Sequence, residues 1–110
     1  MIKRLTLWHA RPQVNIEEAL AHWRTGHAEL VRAVPGLRRY VQNHCVTGPV
    51  GDAGVERPYA GLGEIWFDDM AAAEAAMATP EWRTVIADAA TFTDTDHITA
   101  AWAEEHIFET

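Results

Sequence analysis

Apolar residues between Ile16 and Val34 recur as Ile16, Leu20, Trp23, Leu30, Val31 and Val34, the spacing of one face of a helix. Asn15 supplies an N-cap with Glu18 three residues on, close to a capping box, and Pro35-Gly36 stops the helix after Val34. On the apolar stripe stands His27, seven residues after Leu20 and beside Gly26. A buried imidazole needs a hydrogen-bond partner, and its charge responds to its surroundings near neutral pH. Glycine inside a helix costs about 1 kcal/mol relative to alanine, so Gly26 predicts that something approaches closely at this turn. The ordinary alternative is a core histidine bonded to a backbone carbonyl.

Ile2 to His9 alternates and reads as a strand, with Ile2, Arg4, Thr6 and Trp8 on one face and Lys3, Leu5, Leu7 and His9 on the other. Leu37 to Val46 reads as the second strand. Thr47 to Tyr59, with three Gly and two Pro, reads as a mobile loop joining an antiparallel pair. Ala60 to Phe67 is the third strand, and Asp68 or Asp69 caps an alanine-rich helix through Met77. Thr79-Pro80-Glu81 restarts a helix whose apolar stripe is Trp82, Val85, Ile86 and Ala89. His97 to about Glu109 reads as the last strand, though its Ala-Ala-Trp-Ala-Glu-Glu stretch would also tolerate a helix. Strand, helix, strand, strand, helix, strand is the split βαβ order of the ferredoxin-like α+β fold, with both helices on one face of a four-stranded antiparallel sheet, in one domain spanning residues 1–110.

The other face of such a sheet needs a cover. Leu5, Leu7, Val41, Cys45, Ile65 and Phe67 are expected on one face, and Thr6, Trp8, Tyr40, Gln42, His44, Leu62, Glu64 and Trp66 on the other. The apolar set suits sheet-on-sheet packing in a homodimer, which Ile65→Glu would be expected to split and unfold. The mixed polar and aromatic set would then lie under the helices, facing His27.

With 110 residues and 48% hydrophobic content the chain fits one core, and five Trp suggest a second place to bury aromatic surface, a ligand pocket or a subunit interface. Nine Lys plus Arg against sixteen Asp plus Glu give a formal charge of -7 without a continuous basic face, which argues against nucleic acid and anionic membranes as partners. Cys45 is the sole cysteine, so no internal disulfide can form. The first residues alternate where a signal peptide would be continuously apolar, and no segment approaches a membrane span, so a cytoplasmic setting is expected.

Four segments together resemble the EthD family: His-Trp-Arg-Thr-Gly-His-Ala-Glu-Leu-Val (His22 to Val31), Pro-Gly-Leu-Arg-Arg-Tyr-Val-Gln-Asn-His (Pro35 to His44), Glu-Ile-Trp-Phe-Asp-Asp (Glu64 to Asp69) and Thr-Pro-Glu-Trp (Thr79 to Trp82). The resemblance implies a dimeric α/β barrel with a pocket between each subunit's sheet and helices. Members of the family are associated with degradation of ethers and aromatic compounds, and relatives include lactone isomerases, polyketide cyclases and haem-degrading monooxygenases. His27 matches the family's helix histidine, Tyr40 and His44 its second-strand motif, and Trp66 its third-strand motif. An imidazole so placed can move a proton from a carbon acid or phenol while Tyr40 or His44 holds the oxygen on which charge develops. Trp8 and Glu64, on the same expected face, complete the substrate-binding set.

Other chemistries have less support. His22 and His27 are five apart, off the i, i+4 spacing of two ligands on one helix face, and no His-Glu-x-x-His occurs, so no metal is expected. Cys45 should face the dimer side without a local base. No Gly-x-Gly-x-x-Gly or P-loop suggests a nucleotide. A lone helix histidine could ligate haem, but no Arg pair is placed for propionates. The expectation is a cofactor-independent protein that binds a small hydrophobic or aromatic molecule and catalyses proton transfer, such as isomerisation or cyclisation, with His27 as the acid/base. The alternative is a non-catalytic binding or accessory protein serving an oxygenase.

Overall fold

The computed structural model describes residues 1–49 and 59–110. The connection read as a loop from Thr47 to Tyr59 falls largely outside the described residues. The elements run β1 (Ile2–Trp8), α1 (Ile16–His22), a π-helical turn (Trp23–His27), α2 (Ala28–Arg32), β2 (Arg39–His44), β3 (Gly61–Phe67), α3 (Met70–Met77), α4 (Pro80–Phe92), a 3-10 turn (Thr95–His97) and β4 (Thr99–Glu104). All strand pairs are antiparallel in the order β2-β3-β1-β4, the ferredoxin-like arrangement. No helix among the described residues is long and apolar enough to cross a membrane.

Local chemistry sets the helix starts. The Asn15 side chain accepts from the Glu17 and Glu18 amides, Asp69 accepts from the Ala72 amide, and Thr79 accepts from the Trp82 amide with Pro80 at the first helical position. The first helix departs from the expected uniform α-helix, because its middle turn widens to π geometry across Trp23–His27. The strands are also shorter than their apolar runs suggest. β4 stops at Glu104 because the chain beyond it leaves the sheet, with Ile107 and Phe108 exposed.

Two apolar clusters lie between sheet and helices. One gathers Val31, Val34, Ile65, Phe67, Ala73, Ala76 and Val85, and the other gathers Trp8, Ala19, Leu20, Trp23, Ala60 and Phe92. Gly61 makes the second possible: a Cβ there would stand 2.6 Å from the Trp23 ring and 2.7 Å from Trp8 Nε1, while one on Gly63 would meet the Trp23 ring at an ordinary 3.4 Å. The bare strand therefore lets an indole press directly on the sheet.

Pairing corrects the expected faces of β3. Ile65 lies opposite Tyr40 and Arg4, and Phe67 opposite Ile2, which puts both with Thr6, Trp8, Gln42 and His44 under the helices. Leu62, Glu64 and Trp66 instead share the outer face with Lys3, Leu5, Leu7, Arg39 and Val41. A one-residue change of register exchanges the two faces of a strand, and β3 carries large apolar residues on both, so alternation alone chose the wrong one. Ile65 is consequently a core residue and Ile65→Glu is no probe of an interface. We predict that Ile65→Glu unfolds the chain, by roughly 3 kcal/mol or more for an unpaired buried charge, whereas Leu7→Glu leaves the subunit folded. Circular dichroism with urea titration checks this; a folded Ile65→Glu protein would contradict the face assignment.

Candidate functional site

The two clusters do not close on each other. Between them lies a cavity of about 120 Å³, bounded by Val31, Ile65 and Val85 on one side and by Trp8 and Trp23 on the other. A dry cavity of about 150 Å³ accepts benzene, so this one suits a single small ring and not a haem macrocycle. Its polar lining includes His27, Tyr40, Arg4 and Thr6.

His27 is 6% exposed and its Nδ1 donates to Asp88 Oδ2 at 2.8 Å. His22 Nε2 reaches the same carboxylate, at 2.8 Å from Oδ2 and 3.0 Å from Oδ1. Residues five apart do not share a face of an ordinary α-helix, and the π turn brings these two together, since its i to i+5 bonding aligns that spacing. Phe92 supports the edges of both imidazoles, with ring centroids 5.1 Å away in each case. Gly26 gives His22 room: a Cβ there would stand 3.0 Å from His22 Cε1 and crowd the ring.

Burial lowers the pKa of His27 below that of an ordinary imidazole, more than the Asp88 hydrogen bond raises it. Burial alone would raise that of Asp88, but hydrogen bonds from His27 and His22 outweigh it and hold the carboxyl below its ordinary value. The pair is thus a carboxylate and a neutral imidazole whose Nδ1 carries the proton. His27 Nε2 has no protein partner among the described residues and is not sealed from solvent. A neutral imidazole fixed this way keeps its lone pair on Nε2, and the ring lines the cavity, an arrangement that can serve a general base with an orienting acid.

Tyr40 lines the same cavity, and its hydroxyl accepts from Gln42 Nε2 at 2.6 Å, leaving its own proton free to donate. Burial raises the phenol's pKa, so it stays protonated. Gln42 also donates to the Trp23 carbonyl at 2.7 Å, tying β2 to the π turn. His44 stands outside the cavity lining; its Nε2 donates to Gln42 Oε1 at 2.9 Å and its ring packs on Trp23.

Of the residues expected to bind substrate, Trp8 and Tyr40 line the cavity with His27. Glu64 and Trp66 lie on the opposite sheet face, because β3 pairs in the other register. There Glu64 accepts from Lys3 Nζ at 2.8 Å and from Asn43 Nδ2 at 2.9 Å, and Trp66 is covered by Lys3 and Arg39. Sequence reasoning missed Asp88, His22 and Arg4. Asp88 had a legible signal, since it sits three residues after Val85 and four before Phe92, on the inward face of α4. Among the described residues no group of three or more His, Cys, Asp or Glu could hold a metal ion.

The EthD domain model matches residues 11–96. An EthD-family protein of Bacillus halodurans is similar in structure, with TM-score 0.78 and 27% identity over 96% of this chain and 99% of that one. A dimeric ferredoxin-like protein of unknown function from Thermobifida fusca shares the fold at TM-score 0.71 and 18% identity, over 93% of this chain and 88% of that one. An antibiotic biosynthesis monooxygenase shares it at TM-score 0.62 and 17% identity, over 97% and 100%. No curated protein matches the chain.

The direction of the His27 shift predicts how stability depends on pH. Its folded pKa lies below the unfolded 6.5, so the unfolded chain binds more protons as pH falls beneath 6.5, and stability declines through that window until the folded pKa is passed. Asp88, held below 3.8, adds a loss in the same direction at lower pH. Urea midpoints of wild type and His27→Gln across both windows should differ in slope in the upper one, where His27 itself titrates, and also in the lower one, because His27 helps to hold the Asp88 carboxyl down. Parallel profiles would show that His27 is not shifted.

Proposed function

The chain belongs to the EthD domain family, and from that premise we propose that it is a homodimer that takes a small hydrophobic or aromatic molecule into the cavity and moves a proton on it without a cofactor. The observation that carries this reading is the His27–Asp88 pair at the cavity wall. A neutral imidazole with its inner nitrogen held by a carboxylate has no packing need for an open outer nitrogen.

In this reading His27 Nε2 takes a proton from an acidic carbon or phenol, and the electron pair left behind moves onto the substrate oxygen. Tyr40 donates to that oxygen, where a donor aimed at developing charge has most effect. Return of the proton to another carbon completes an isomerisation, while attack of the new carbanion on a carbonyl within the substrate forms the ring and an alkoxide that takes the proton back from His27, giving a cyclisation. Asp88 positions His27 and stabilises the imidazolium that forms, and His22 holds Asp88 in turn. A cytoplasmic setting agrees with the single free Cys45, and a place in a catabolic or biosynthetic route agrees with the cavity's size and lining.

The homodimer reading rests on the outer sheet face, where half-buried Leu5, Leu7, Val41 and Leu62 lie without helices over them. A solved structure of this fold from Thermobifida fusca is described as dimeric. We predict that wild type sediments as a dimer at micromolar concentration and that Leu7→Glu sediments as a monomer, since an unpaired charge between two sheets is costly. A folded wild-type monomer at that concentration would contradict it.

The chemistry is tested by deuterium exchange. Small aromatic ketones and phenols are incubated with the protein in heavy water, and carbon-bound deuterium is followed by NMR. Wild type should accelerate exchange, and His27→Gln should lose about 100-fold or more of that acceleration, the usual weight of a general base. Tight binding without exchange would instead favour the accessory, non-catalytic reading.

A further inference from the structure

Arg4 is a charged group of the cavity lining that proton transfer leaves unused. It stands on the helix side of β1, half-buried, opposite Ile65 and Trp102. Its guanidinium lies over the Trp82 ring at 5.6 Å from the centroid, and Nη1 donates to Thr6 Oγ1 at 2.8 Å. No carboxylate pairs with it among the described residues. The contrast with other cations is direct: Lys3 is bonded to Glu64 and Glu105, and Arg38 makes two bonds to Asp68. Burial costs Arg4 hydration, lowering its pKa with nothing raising it. A guanidinium has five N–H donors in a planar fork suited to two oxygens, and Thr6 takes one. The chain as a whole is strongly acidic, at -7, so an unpaired cation kept in an apolar cavity is not a consequence of surplus positive charge.

We propose that the ligand of this cavity carries an anionic oxygen group, a carboxylate on a single small ring or a chain of similar size, and that Arg4 binds it. This rests on the reading of the cavity as the ligand site and adds the class of compound. Thr6 fixes one edge of the guanidinium and Trp82 one face, so the free edge is preorganised for a bidentate carboxylate. The carboxylate anchors the ring while His27 and Tyr40 meet its reactive end. Arg4 is thereby a specificity-determining residue and takes no part in moving the proton.

Benzoate and benzamide, nearly equal in shape and different in charge, separate the alternatives. Each is titrated into the wild-type protein with Tyr40 and His27 resonances followed by NMR. The proposal expects benzoate to bind at least tenfold more tightly than benzamide, and Arg4→Gln to remove that preference while benzamide binds as before. The wild-type comparison needs no variant to fold. Equal binding of the two probes overturns the anion proposal and leaves the cavity reading standing. Failure of both to shift either resonance overturns the cavity reading and this proposal with it.

Discussion

One carboxylate joins the first helix to α4. Asp88, on α4, accepts from His22 and His27 on the first helix, and it is the polar contact by which these two elements meet across the sheet. The part-buried Asp88 carboxylate loses a hydrogen-bond donor when either imidazole is removed, so the two imidazoles, both packed on Phe92, form a unit with it. That unit requires residues five apart to face one way, which an α-helix does not allow and the π turn does. The widened turn, Gly26 beside His22, and the Gln42 side chain bonded to the Trp23 carbonyl all follow from holding this geometry. π turns are rare and concentrate at functional sites, where a strained helix is retained for what it positions.

The cavity has the same origin. Small residues on β3 draw Trp23 onto the sheet at one end of the domain, while Val31, Ile65, Phe67 and Val85 pack conventionally at the other. The interval between them is lined mainly by apolar side chains, with His27, Tyr40, Arg4 and Thr6 as its polar groups. A gap lined by a neutral base, a phenol donor and an unpaired guanidinium is chemically directional, and its volume limits what can enter to something near the size of one ring.

Much of the fold was legible because each element began with unambiguous punctuation: Asn15, Asp69 and Thr79 cap the helices as their residue types predict, and the strand and helix order leads to the observed sheet. His27 was legible as the polar break in an apolar stripe. The face of β3 was not, because Gly61 and Gly63 carry no side chains to weigh against Leu62 and Trp66, so the pairing that sends Ile65 and Phe67 inward left little trace in the alternation. His22 was set aside by the arithmetic of a regular helix, which the π turn does not obey. Asp88 and Arg4 were readable as an acid and a base on inward faces, yet a charged residue between apolar neighbours reads as surface until its partner, or lack of one, is seen in three dimensions.

The central claim is that Asp88 holds His27 as a neutral imidazole protonated on Nδ1, with Nε2 open to the cavity. Long-range nitrogen–proton correlation NMR on uniformly nitrogen-labelled wild-type protein at about neutral pH reads the protonation of each ring nitrogen directly. It should show His27 with a protonated Nδ1 and an unprotonated Nε2. A His27 protonated on Nε2, or on both nitrogens at that pH, would contradict the account.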